Sequence, residues 1–147
     1  MSSTAPPTAT RRAAPAVNWG QFALVGLGTI LAAVLANVLV YYIGGALVAY
    51  DPQFLPLASV GGAVIFTVFP AIIAVVIYAI LLRFTSNPAR IFTIIAAVVL
   101  VISLIPDLTY IPTVPGATGA QTAILLLMHL AAAAVIVGLL TRSRPRV

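Results

Sequence analysis

The chain has 147 residues, 63% of them hydrophobic and 6% charged, with a formal net charge of +5. A soluble domain carries roughly 25% charged residues, so this chain lacks the side chains to cover a water-facing surface, and bilayer lipid must be much of its solvent. It has no cysteine, which excludes disulfides, thiolate metal sites and thiol redox chemistry.

Residues 1–18 are rich in Ser, Thr, Ala and Pro and have no apolar period; they are expected to form a disordered cytoplasmic tail. Arg11 and Arg12 precede an apolar run too long for a cleavable signal, which therefore reads as an uncleaved first span. Residues 19–141 form the expected membrane domain, with spans at about 21–48, 57–82, 88–108 and 119–140. Each exceeds or matches the ~20 apolar residues that cross a bilayer as a helix. Residues 142–147 form a basic tail.

Trp19 and Phe22 mark one interface of the first span, and Tyr41, Tyr42 and Tyr50 the other, as amphipathic rings do at headgroup depth. The connection through Asp51 and Pro52 is a turn, with Asp51 as a turn residue. Pro70 interrupts the backbone ladder of span 2, which predicts a kink. Asn87 followed by Pro88 reads as a capped helix start. Pro106 should loosen the end of span 3 around Asp107. Residues 109–118 are punctuated by Pro and Gly yet apolar, which places them on the membrane surface.

The charge pattern sets orientation. Arg11 and Arg12 precede span 1, Arg83 and Arg90 lie between spans 2 and 3, and Arg142, Arg144 and Arg146 follow span 4. The only acids, Asp51 and Asp107, fall on the other side. The positive-inside rule then puts both termini in the cytoplasm of an up-down-up-down, all-α, four-helix transmembrane bundle. It also accounts for the arginines without a nucleic-acid partner.

Helices associate in lipid through small residues and paired polar groups, so a stripe of such residues at helical spacing marks an inward face. Span 1 has Gly26, Thr29, Ala33, Asn37, Tyr41 and Gly44. Span 2 has Ser59, Ala63, Thr67, Pro70, Ala74 and Tyr78. Span 3 has Thr93, Ala96, Leu100, Ser103 and Asp107, and span 4 has Thr122, Leu126, His129 and Ala133. Gly44-Gly45 and Gly61-Gly62 allow close helix contact. At 1.5 Å per residue, Asn37, Thr67 and His129 each lie about 15 Å below the outer surface. The expected inward polar cluster is therefore Asn37, Thr67, Ser103, Asp107 and His129, with Asp107 close to the interface as a cap or water-facing charge.

Three readings of His129 stay open. It fastens the bundle through Asn37 or Thr67, titrates on a proton or solute path, or ligates a haem or pigment. The last is poorly served by Met128, which points away from it on the helix. No carboxylate pair at one depth, nucleophile–base pair, zinc motif or phosphate loop is present, so no catalytic residue, metal or cofactor is expected.

Several short motifs stand out: Phe69-Pro70 with an aliphatic run into Arg83, Asn87-Pro88-Ala89-Arg90-Ile91-Phe92, Ser103-Leu104-Ile105-Pro106-Asp107, and Leu127-Met128-His129-Leu130. They resemble a family of small bacterial four-helix membrane proteins of unknown function, of the actinobacterial and Chloroflexi type, over about residues 20–141. The resemblance implies a Ser-x-x-x-Asp stretch late in span 3 and a His in span 4, which fall on Ser103, Asp107 and His129. It implies no activity. The expectation is a non-enzymatic protein of the bacterial plasma membrane. It would be a structural or accessory subunit in contact with lipid and with other subunits or itself; a carrier built on the polar cluster is the alternative.

Overall fold

A computed structural model describes residues 17–143. The tail through residue 16, with Arg11 and Arg12, and the last four residues, with Arg144 and Arg146, lie outside the described residues. The described residues form four long helices: α1 (Trp19–Leu47), α2 (Val60–Phe84), α3 (Pro88–Thr109) and α4 (Gly119–Arg142). All four are long and apolar enough to cross a membrane. These are the dimensions of a multi-pass membrane protein.

The helix limits follow from local chemistry. α1 begins at Trp19 because the Asn18 side chain accepts the Gln21 N–H at 3.0 Å, filling one orphan donor of the first turn. α4 begins in the same way, with Thr118 Oγ1 accepting the Gln121 N–H at 3.2 Å. α2 starts at Val60, three residues later than expected, because Leu55–Leu57 form a separate 3₁₀ turn. Asn87 occupies the cap position of α3 but its side chain makes no capping bond; Pro88, with its preset φ, suffices to start the helix. Neither internal proline ends its helix. α2 runs on through Pro70 to Phe84, and α3 through Pro106 to Thr109, where the Tyr110 N–H reaches Pro106 O at 2.8 Å.

α1 packs against α2 and α4, and α3 packs mainly against α4. In lipid, burial of apolar surface does not itself drive helices together, so close fit decides. Gly26 shows this: a Cβ there would sit 2.8 Å from Val75 Cγ1 of α2. Ala33 and Ala71 are fully buried at the same contact. Outside, Leu24, Leu35, Phe66, Ile73, Val101 and many similar side chains are exposed.

Two buried clusters sit at opposite ends of the bundle. One joins Phe22 at the start of α1, Tyr78 near the end of α2, Phe92 at the start of α3 and Leu140 at the end of α4. Its rings meet edge-on, Tyr78 to Phe92, at 5.1 Å between centroids. The other joins Phe54 and Leu57 of the first connection to Ala63, Ile124, Leu125 and Met128. The expected interfacial rings therefore divide. Trp19 and Tyr42 are exposed, but Phe22 is buried, and Tyr41 and Tyr50 meet at a tilt, 5.1 Å between centroids, against the second cluster.

Candidate functional site: two separate polar pairs

The polar side chains predicted to face inward form two separate contacts. On α1 and α2, Asn37 Nδ2 donates to Thr67 Oγ1 at 2.7 Å, and the Thr67 hydroxyl donates onward to Ala63 O at 2.6 Å. Both side chains are buried, and Asn37 Oδ1 has no hydrogen-bond partner. On α3 and α4, Asp107 Oδ2 lies 3.0 Å from His129 Nδ1. His129 does not bond Asn37 or Thr67, as its fastening role required; its ring nitrogen contacts are Asp107 and Leu125 O. Ser103 stays apart from both pairs, half-buried, with its hydroxyl donating to Leu100 O of its own helix at 2.7 Å.

The expected faces are right for α1 and displaced for α4. Gly26, Thr29, Ala33, Asn37 and Gly44 are all buried, with Phe22 completing the face. In α2, Ala63, Thr67 and Tyr78 are buried, but Ser59 and Pro70 are exposed, and Ala71 takes the inward place of Pro70. In α3, Phe92 is buried where Thr93 was expected, and Thr93 is exposed with its hydroxyl on Ala89 O. In α4 the buried set is Gln121, Thr122, Ile124, Leu125, Met128, Ile136 and Leu140. The centre of the α4 face is thus Met128, with His129 on the flank that meets α3. Met128 packs with Phe54 and Leu57.

Asp107 faces inward as expected, but it does not face water. It is 6% exposed, a buried carboxyl group and not an interfacial charge. Side-chain lean helps bring it to His129. Side chains lean toward the N-terminus of their own helix, and the bond from His129 Nδ1 to Leu125 O shows the ring leaning back by one turn.

At the same end, the first connection is clasped to the last, a feature that sequence reading missed. Gln121 is fully buried. Its Nε2 donates to Gly116 O at 2.8 Å and to Thr118 Oγ1 at 3.1 Å, and its Oε1 accepts the Asp51 N–H at 3.1 Å. The signal was Thr118-x-x-Gln121, the spacing of a capping box; here the Gln amide reaches across to another connection. Asp51 is the turn residue expected, its Oδ1 accepting the Gln53 N–H at 2.8 Å. Tyr50 donates to Tyr41 O at 2.6 Å. Burial, and then the neighbouring Tyr41 phenol, push the Tyr50 pKa up, which keeps that hydroxyl a donor. Gly44 and Gly45 make room for the Tyr50 ring, whereas Gly61 and Gly62 face only the turn beside them, Ser59 and Pro56.

The three described arginines stand at helix ends. Arg83 and Arg142 lie in the last turns of α2 and α4, where a cation complements the helix dipole. Arg83 also sits 5.9 Å from the Phe84 ring centroid.

A protein-family model described as a family of unknown function (DUF6069) matches residues 14–146. The chain belongs to that family. The match covers all four helices and both polar pairs, and so places the Asp107–His129 contact inside the extent of DUF6069. No curated protein and no solved structure matches the chain.

Proposed function

We propose that this DUF6069 member is a non-catalytic, multi-pass protein of the bacterial plasma membrane that serves as a small structural or accessory subunit. The observation that carries this reading is the separation of the polar groups. A solute path needs them in sequence along one passage. Here Asn37 is tied to Thr67 and His129 to Asp107, with Leu125 and Met128 buried in apolar packing at the centre of the α4 face. Purification from native membrane in mild detergent is expected to bring along another membrane protein at fixed stoichiometry. The chain alone in liposomes is expected to carry neither protons nor small solutes. A flux that disappears in both His129→Ala and Asp107→Asn would establish the carrier reading in its place.

The arrangement in the membrane is up-down-up-down with both termini cytoplasmic. The seven arginines support it, as does the shared cluster of helix starts and ends around Phe22, Tyr78, Phe92 and Leu140. The absence of cysteine makes this directly measurable. Gln53→Cys, at an exposed position of the first connection, is expected to react with a membrane-impermeant maleimide on intact cells. Ser86→Cys, between α2 and α3, is expected to react only after permeabilisation. Labelling of both on intact cells would sink the topology.

A further inference from the structure

The tautomer of His129 follows from its contacts. Nδ1 lies 3.0 Å from Leu125 O and 3.0 Å from Asp107 Oδ2. A backbone carbonyl can only accept, so a bond to it requires the proton on Nδ1. That single N–H is directed at Leu125 O, which is why Asp107 Oδ2, though close, is left without a formed hydrogen bond. The carboxyl group acts on the ring by position. In the neutral ring the remaining nitrogen, Nε2, is then an acceptor with a free lone pair.

Nε2 cannot turn inward without giving up both contacts of Nδ1. The His129 side chain is 38% exposed, whereas that of its partner Asp107 is buried, so the pair opens sideways from the groove between α3 and α4. The residues next in sequence to the two, Leu130 and Leu108, are 48% and 60% exposed. The opening is therefore bordered by aliphatic side chains, and its surroundings in a bilayer are acyl chains. A lone pair facing hydrocarbon gives up a hydrogen bond that only a donor can restore.

We propose that the Asp107–His129 pair is a lateral binding site for a hydroxyl-bearing amphiphile drawn from the bilayer. Its O–H donates to His129 Nε2 and its apolar body lies along Leu108 and Leu130. The class is set by the chemistry on each side. An acceptor nitrogen selects a donor. An aliphatic border selects a molecule with an apolar body. Asp107 packs 3.0 Å from Nδ1 and helps hold the ring in the orientation that leaves Nε2 turned outward. Leu125 O and Asp107 are positioning groups, and His129 is the group that touches the ligand. The assignment goes beyond the accessory-subunit reading and does not depend on it.

The chain has one histidine, so ¹⁵N-imidazole labelling of the full-length protein gives one pair of ring signals. The protein is placed in phosphatidylcholine nanodiscs at a pH above the ordinary imidazole range. The expected spectrum shows a protonated Nδ1 and an unprotonated Nε2. Adding 4-nonylphenol should move the Nε2 signal saturably toward the hydrogen-bonded position, and its methyl ether, with the same tail and no donor, should not. In Asp107→Asn the shift at saturation should shrink. A proton found on Nε2, equal responses to phenol and ether, or a phenol response unchanged in Asp107→Asn would overturn the proposal. So would an Nε2 signal already shifted without probe and restored on dilution of the chain, which would assign the donor to a second copy.

Discussion

Gly116→Val is expected to destabilise the protein by about 3 kcal/mol or more, the larger of the two effects argued here. Two costs add. Gly116 has φ +73°, a left-handed conformation that costs an L-residue roughly 1–2 kcal/mol and a β-branched one more. A Cβ there would also lie 2.8 Å from Asp51 Cγ and 3.0 Å from the Phe54 N atom, one of them backbone that cannot move without the turn. The turn matters because Gly116 O accepts from Gln121, whose other end holds Asp51. Displacing Gly116 therefore opens the clasp over the buried Phe54 and Leu57. Thermal unfolding in mild detergent measures the loss. Gly138→Ala is the control: nothing lies within 4 Å of its Cβ, and alanine in a helix is favoured by about 1 kcal/mol over glycine. A Gly116→Val protein as stable as that control would show that the two connections do not need each other.

The clasp also marks where sequence reading stops. Four spans, their connections and the α1 face were legible because charge, proline and small residues vary along the chain with a visible period. Gly26, Thr29, Ala33, Asn37 and Gly44 stand out against Leu and Val, and each is buried. α4 offered no such contrast. Between Gln121 and Leu140 nearly every residue is aliphatic or alanine, so nothing separated Leu125, which is buried, from Leu127, which is 52% exposed. In water the inward face of a helix is marked by apolarity; in lipid that mark is gone, and the one ionisable residue of the stretch, His129, drew the stripe toward itself. The bond between Asp51 and Gln121 spans seventy positions and has no period to betray it. Asp107 and His129 were legible as inward neighbours, but counting depth along each helix ignores the lean of the side chains, so their 3.0 Å contact was not.

Thr67→Val is expected to cost more than Asn37→Leu, although the two remove the same hydrogen bond. Asn37 Nδ2 donates to Thr67 Oγ1, and the Thr67 hydroxyl has a second partner in Ala63 O. Removing the asparagine therefore leaves threonine still bonded to its own helix, and it also removes Oδ1, which is buried without a partner. The loss is then near the membrane average for an interhelical bond, roughly 0.6 kcal/mol. Removing the threonine hydroxyl leaves the whole Asn37 amide, 5% exposed, with neither end bonded, and an unsatisfied buried donor costs about 1–3 kcal/mol. The double variant should recover most of that loss, because the stranded amide is gone; the shortfall of the double loss against the sum of the two single losses is the coupling that a mutant cycle reads. Unfolding free energies of the four proteins in one bicelle composition decide the matter. Equal losses for the two single variants, adding in the double, would mean that Asn37 finds another partner when Thr67 is gone, and that the α1–α2 contact rests on Gly26, Ala33 and Ala71 alone.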